Sequence, residues 1–339
     1  MPKIRAWAAE GSKQELSPYE FDPGPLGSEE VEIAVEYCGL CHSDLSVLRN
    51  DWGNSQFPMI PGHEVVGRVI AAGELARGLQ IGQRVGVGWT AVSCMHCRPC
   101  LSGSQHLCPR AVATIIGHAG GFAERVRAHW AWAIPLPEKL DPSSAGPLLC
   151  GGITVFSPFA SFGTKSTDRV GIVGIGGLGH LALQFASAWG CEVTAFTSSE
   201  SKREEAMGFG AHHVVPTRNI DAIRALAGSL DLLLVTVNVP LDWGSLIATL
   251  TTRGRMHIVG AVLEPIPVDA FALIMGERSI TGSPTGAPVT IATMLEFCQR
   301  HKIAPQVEHF PMSRANDALA HLEAGKARYR IVLDADFDR

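Results

Sequence analysis

RVGIVGIGGLGHLALQFASAW, residues 169–189, runs from an apolar strand through a glycine turn into a helix. Arg169 to Gly174 has the short continuous apolar run of a buried strand, and Leu178 to Trp189 spaces Leu, Leu and Phe along one helical face. Between them Gly174, Gly176 and Gly179 form G-x-G-x-x-G, with Gly177 and Leu178 inside the motif. Such glycines allow a tight turn, close approach of backbone to a pyrophosphate, and packing of helix on strand. The helix start adds unpaired N–H groups and a partial positive charge for the phosphates. In this strand–turn–helix frame the motif predicts a dinucleotide site on a doubly wound parallel sheet.

Outward from this stretch, strand and helix keep alternating. Strands are expected at 191–197, 213–215, 230–237 and 255–259, with helices at 201–208, 220–227 and 243–250. That alternation predicts a parallel sheet covered on both faces. The strand after the glycine turn selects the cofactor. An NAD site places Asp or Glu about 20 residues on, against the ribose 2′-hydroxyl. Here the chain reads Thr197-Ser198-Ser199-Glu200-Ser201-Lys202-Arg203. Small hydroxyls and two cations suit a 2′-phosphate, so NADP(H) is favoured, and Glu200 alone argues the other way.

Before residue 150 the chain is rich in Gly and Pro, with short Val/Ile runs at Val31–Val35, Val65–Ile70 and Arg84–Val87. This predicts an irregular β-barrel or curled sheet. A strand at Tyr329–Leu333 is expected to return to it, which makes the first domain discontinuous: 1–153 with 287–339, against 154–286 for the parallel sheet. With 339 residues, 46% hydrophobic and 18% charged, the chain has material for two cores. A net charge of −5 without a Lys/Arg block argues against nucleic acid or an anionic membrane as partner. The first residues lack the apolar core of a signal peptide, and the apolar stretch 170–188 is broken by five glycines. Nothing marks the chain as secreted, so a reducing cytoplasm is expected for its nine cysteines.

Four of these, Cys94, Cys97, Cys100 and Cys108, are spaced C-x2-C-x2-C-x7-C. Loops this short let four sulfurs converge on one tetrahedral ion, and an all-thiolate shell makes a closed structural zinc site. A second set is Cys41, His63-Glu64 and Cys150. Two thiolates and one imidazole leave a fourth position open, the pattern of a working zinc. A lone Cys is most often a buried small hydrophobe, but three such donors beside a nucleotide fold argue for a site. Cys38, Cys191 and Cys298 belong to neither set.

The chain resembles the zinc-dependent medium-chain alcohol dehydrogenases, and within them the cinnamyl alcohol dehydrogenase group. The resemblance is carried by GLCHSD (39–44), PGHEVVGRV (61–69), the cysteine lobe (94–108), GGFAERV (120–126), GPLLCGGITVFSP (146–158), GIGGLGH (174–180) and YRIVLD (329–334). It spans nearly the whole length, in the family's order. It implies a GroES-like catalytic domain, a Rossmann cofactor domain and an active site in the cleft between them. It also implies a catalytic zinc on Cys41, His63 and Cys150, with Glu64 as an alternating or neighbouring ligand. Ser43 would bond the substrate oxygen, and Asp44 would orient His63, since ligating imidazoles need a partner on their other nitrogen. Thr154, Thr236, Gly260, Ser283, Pro284 and Thr285 would join Gly174, Gly176, Gly177, Leu178, Gly179, Ser198, Ser199 and Lys202 in holding NADP(H). Two zinc ions per chain and a homodimer paired through the sheet edge at Ile280-Thr281-Gly282 complete the expectation.

One position departs from the resemblance. Many family members end a proton relay in a His five residues after the first ligand, and here Ser46 stands there. A hydroxyl cannot act as a base near neutrality. His42 is expected to face the cofactor phosphates rather than to replace that base. Trp52 and Trp89 flank the ligand motifs, either as walls of a substrate pocket or as core. The function that follows is zinc-dependent interconversion of primary alcohols and aldehydes with NADP(H). A reductase of iminium or conjugated C=C bonds would keep the cofactor without needing zinc to hold an oxygen. A non-catalytic nucleotide-binding scaffold would need neither chemistry.

Overall fold

A computed structural model describes residues 3–337, with Glu200 as backbone only. The chain divides into Met1–Ile153 with Thr285–Arg339, and Thr154–Pro284. In the first unit the long strand Glu30–Leu40 buries Val31, Ile33 and Val35 on alternate positions. Around it a seven-stranded sheet runs in the order Val307–Pro311, Arg330–Asp334, Glu30–Leu40, Glu64–Ala72, Arg84–Val87 and Ile134–Pro135, with Arg125–His129 also paired to Glu30–Leu40. Ile33, Val65, Val85, Phe122, Ile331 and Leu333 fill its core. Full burial of each such side chain stabilises the fold by about 1.5–3 kcal/mol.

Register decides what this sheet presents at one end. Gly39 lies opposite Glu64, and Ile331 lies opposite Leu40, all in antiparallel pairs. The turn at Cys41, the segment entering Glu64 and the start of the Arg330 strand therefore meet, although they come from three distant parts of the chain.

The second unit is a six-stranded sheet with every neighbouring pair parallel. Its order is His213–Pro216, Glu192–Thr197, Arg169–Val173, Leu230–Val235, Leu250–Ile258 and Ser279–Gly282. This is the 3-2-1-4-5-6 order of a doubly wound dinucleotide fold. The helix Gly179–Trp189 follows the glycine turn and ends at Gly190, whose φ of 98° is left-handed. Phe185 and Trp189 of that helix pack edge-on against Phe156 of the helix Gly151–Ser161.

Several element boundaries shift by one to five residues from expectation; the strand expected at 230–237 ends at Val235 and the helix expected at 220–227 ends at Arg224, and two further cases have a clear local cause. The strand expected at 255–259 begins at Leu250, because Thr251, Thr252 and Arg253 hide its first turnless residues behind a polar pattern. The helix expected to reach 250 ends at Ala248, and starts where Asp242 accepts a hydrogen bond from the Ser245 N–H. Among the described residues no helix is long and apolar enough to cross a membrane.

Candidate active site

Donor atoms of Cys41, His63, Glu64 and Cys150 all lie within 4.8 Å of one another. Cys41 Sγ and Cys150 Sγ are 3.9 Å apart, and His63 Nε2 is 3.2 Å from Cys150 Sγ. Asp44, fully buried, ties the two ligand loops together. One of its carboxylate oxygens accepts from the Cys41 N–H at 2.9 Å; the other accepts from the Gly62 N–H at 2.8 Å and lies 2.9 Å from His63 Nδ1. That contact leaves Nε2 of His63 directed at the sulfurs. Gly39 makes room for Glu64, since a Cβ there would stand 2.0 Å from Glu64 Oε2.

The electrostatics of this end are those of a set of anions held by one cation. Arg330, buried, donates to Glu64 Oε1, while Glu64 Oε2 has no hydrogen-bond partner. Burial pushes the Glu64 carboxyl up to about 7, against the pull of Arg330. The Cys150 thiol's hydrogen bond draws the Cys41 pKa well below the usual thiol value, against burial and with help from Arg330 and His63. Burial works against a charged His63, but Asp44 and then Cys41 hold its pKa well above the ordinary value. An orphaned buried carboxylate oxygen, a thiolate-prone Cys41 and an oriented imidazole fit a divalent zinc ion, which accepts just these donors.

The second cluster fits zinc by its distances. Sulfurs at the corners of a tetrahedron with Zn–S bonds of about 2.3 Å stand about 3.8 Å apart. Cys94 and Cys100 are 3.9 Å apart, Cys97 and Cys108 3.7 Å, and Cys94 and Cys108 3.5 Å. Arg110 adds a guanidinium N–H 3.3 Å from Cys94 Sγ, and its own backbone N–H donates to Cys108 Sγ at 3.4 Å. The His96 backbone N–H heads the causes that bring the Cys94 pKa down to about 5. All nine cysteines are free thiols.

In the other unit a cavity of about 340 Å³ opens on the glycine turn, lined by Gly174 to Leu178, Thr197 to Ser199, Lys202 and Thr236 to Val239. Among the described residues that line it there is no acidic side chain. The Glu200 side chain lies outside the described residues. Lys202 Nζ donates to the Ile175 carbonyl at 2.7 Å, which fixes the cation beside the turn. Thr236 Oγ1 lies 2.8 Å from the Val173 carbonyl and 3.0 Å from that of Gly174. A Cβ on Gly179 would stand 1.8 Å from the Gly174 carbonyl, so the helix can start this close only with glycine, whereas a Cβ on Gly176 would meet nothing within 4 Å. The open space over Gly176 is the cradle a pyrophosphate needs. Gly260, Ser283, Pro284 and Thr285 do not line this cavity; they follow the C-terminal ends of the last two strands, the side on which such sheets bind ligands. Thr154 Oγ1 donates to the Pro284 carbonyl at 3.2 Å.

Residues 27–138 match the family model of the alcohol dehydrogenase GroES-like domain, and residues 177–300 that of the zinc-binding dehydrogenases. Aldehyde reductase AdhA of Synechocystis sp. is 53% identical over 330 residues, covering 97% of this chain and 98% of its own. A solved cinnamyl alcohol dehydrogenase of Sorghum bicolor superposes with a TM-score of 0.94 at 36% identity, covering 98% of both chains. The chain belongs to the zinc-dependent medium-chain alcohol dehydrogenases, in the cinnamyl alcohol dehydrogenase-like group. A structure of CAD from Helicobacter pylori complexed with NADP(H) matches at a TM-score of 0.89 and 28% identity, covering 98% of both chains.

The site of this dehydrogenase contains one residue that sequence reasoning did not single out: Arg330. Its signal was available, because an Arg opening a strand as apolar as Ile331-Val332-Leu333 must find an acid if it is buried. Ser46 is buried in the short helix His42–Leu48, and His42 is exposed at its start. Ser43 Oγ is 3.8 Å from Cys41 Sγ. Trp89 meets the His63 ring edge-on at 5.1 Å and so stands beside the donor set, while Trp52 meets Trp89 edge-on at 5.9 Å; both also pack on the core.

Proposed function

We propose that this dehydrogenase uses NADP(H) to interconvert primary alcohols and aldehydes, aryl, allylic or aliphatic, at a zinc ion held by Cys41, His63 and Cys150. The observation that carries the reading is the donor set itself: Cys41, His63 and Cys150 converge with Glu64, whose other oxygen Arg330 holds, so that exchange of this weaker ligand for the substrate oxygen would open the fourth position. Alcohol dehydrogenase is itself the standing example of a Cys₂His zinc with an open position. Bound zinc would supply a Lewis acid for the substrate oxygen, and the nicotinamide would take or give the hydride. Ser43, beside Cys41, would hydrogen-bond that oxygen and pass its proton toward solvent, since Ser46 supplies no base. Trp52 and Trp89 would shield the reacting atoms and favour flat substrates.

In this reading 1–153 with 287–339 is the catalytic domain and carries a second, structural zinc on Cys94, Cys97, Cys100 and Cys108. The segment 154–286 is the cofactor domain, where the glycine turn, Ser198, Ser199 and Lys202 hold the phosphates. The exposed apolar Phe271, Ile274 and Met275, just ahead of the edge strand Ser279–Gly282, support a homodimer through that edge. We place the enzyme in the cytoplasm. The relatives' names support aldehyde reduction, and the NADP(H) bound in the Helicobacter pylori structure supports the cofactor.

Oxidation of NADPH and of NADH by cinnamaldehyde and benzaldehyde tests the proposal. Turnover is expected with a preference for NADPH. Lys202→Ala should shrink that preference by about tenfold or more, the worth of one hydrogen bond to a charged group. Equal use of NADH by the parent enzyme would contradict the cofactor assignment.

A further inference from the structure

His257 is a fully buried imidazole on the strand Leu250–Ile258 that neither the metal clusters nor the glycine turn employs. Parallel register sets it beside Thr281 of the edge strand. Its Nδ1 lies 2.8 Å from Thr281 Oγ1, and its Nε2 lies 2.9 Å from Ser283 Oγ. Burial, and then the neighbouring Arg255 cation, pushes its pKa down to about 4, so the ring is neutral, with one nitrogen donating and the other accepting. The Phe162 ring packs on it at 5.0 Å. A ring bonded at both nitrogens cannot turn without stranding a buried polar group.

Its effect falls on the Ser283-Pro284 segment, which belongs to no strand or helix. His257 holds this segment through the Ser283 hydroxyl, and Thr154 holds it through the Pro284 carbonyl. A doubly wound fold is built of two mononucleotide-binding halves. The half with the glycine turn and Ser198, Ser199 and Lys202 suits the adenosine end. The strands Leu230–Val235, Leu250–Ile258 and Ser279–Gly282 make the other half, which leaves their C-terminal ends for the nicotinamide.

We propose that His257 is a positioning residue for the nicotinamide half of the cofactor: it fixes Ser283, and with it the backbone on which the nicotinamide amide rests. The proposal depends on the NADP(H) reading above. Calorimetric titration of the parent, His257→Leu and His257→Gln with two ligands separates the possibilities. NADPH carries both halves, and 2′,5′-ADP carries the phosphorylated adenosine end alone. In His257→Leu, NADPH binding should weaken about tenfold, the loss of one hydrogen bond that positions the segment, while 2′,5′-ADP binding stays within about twofold. His257→Gln keeps one donor and one acceptor at similar reach and should recover most of the NADPH affinity. Unchanged NADPH binding in His257→Leu would overturn the proposal, as would equal weakening of both ligands, which marks general damage to the fold. If the parent bound neither ligand, the NADP(H) reading itself would fail, an outcome distinct from both.

Discussion

Replacing Arg330 by methionine is expected to cost the fold about 3–5 kcal/mol, because it leaves the Glu64 carboxylate buried without its cation. Arg330 and Glu64 are both buried, and no other side chain gives Glu64 a cationic partner of this kind among the described residues. For a unit of this size the loss should lower the melting temperature by about 10 °C. The loss does not come from the missing attraction alone, since a buried ion pair roughly balances its own desolvation. It comes from the carboxyl left behind. Burial already holds its pKa up at about 7, so without Arg330 it must stay charged and unpaired or take up a proton, and the loss should grow as the pH rises. Adding Glu64→Gln to Arg330→Met should therefore recover a large part of the stability, although it removes a second native group. Thermal unfolding of the two variants checks this. A single variant as stable as the parent, or a double variant worse than the single, would mean that the pair does not hold this end of the sheet.

The glycine turn gives the second large effect, and there two glycines should fail in opposite ways. Gly179→Ala puts a Cβ 1.8 Å from the Gly174 carbonyl. Backbone must shift to admit it, which should cost about 1–3 kcal/mol in the way of an overpacked core. NADPH affinity should fall about a hundredfold with it, the worth of two hydrogen bonds to charged phosphate. Gly176→Val meets open space and should change stability by only about 0.5 kcal/mol, as surface substitutions do. Its methyl groups would still occupy the cradle, so NADPH binding should be lost from a folded protein. Thermal unfolding and NADPH fluorescence on the two variants read these outcomes separately. Tight binding by Gly176→Val would show that the pyrophosphate does not lie over this turn.

The fold class was legible because its determinants are local. The glycines of residues 174–179 and the alternating strands after them announce a doubly wound sheet within one continuous stretch. The donor residues were legible for a related reason: Cys and His are chemically distinctive wherever they stand. What the structure adds is non-local. The Glu64–Arg330 contact joins residues 266 apart, and the pairings of Ile331 with Leu40 and of Gly39 with Glu64 together bring them into contact. The clamp of His257 on Ser283 likewise needs the register of the last two strands. Boundaries were least legible where composition misleads, as at Leu250–Ile258, whose polar Thr251-Thr252-Arg253 begins a strand that reads as loop.

Zinc content measured beside turnover shows whether hydride transfer needs the ion at Cys41, His63 and Cys150. The purified enzyme should contain two zinc ions per chain and reduce cinnamaldehyde with NADPH. Brief chelation should remove the ion at Cys41, His63 and Cys150 first, because its open position admits the chelator, while the four-thiolate ion stays. Turnover should disappear with that one zinc and return when Zn²⁺ is restored. Full turnover from an enzyme that has lost the zinc at Cys41, His63 and Cys150 would contradict it.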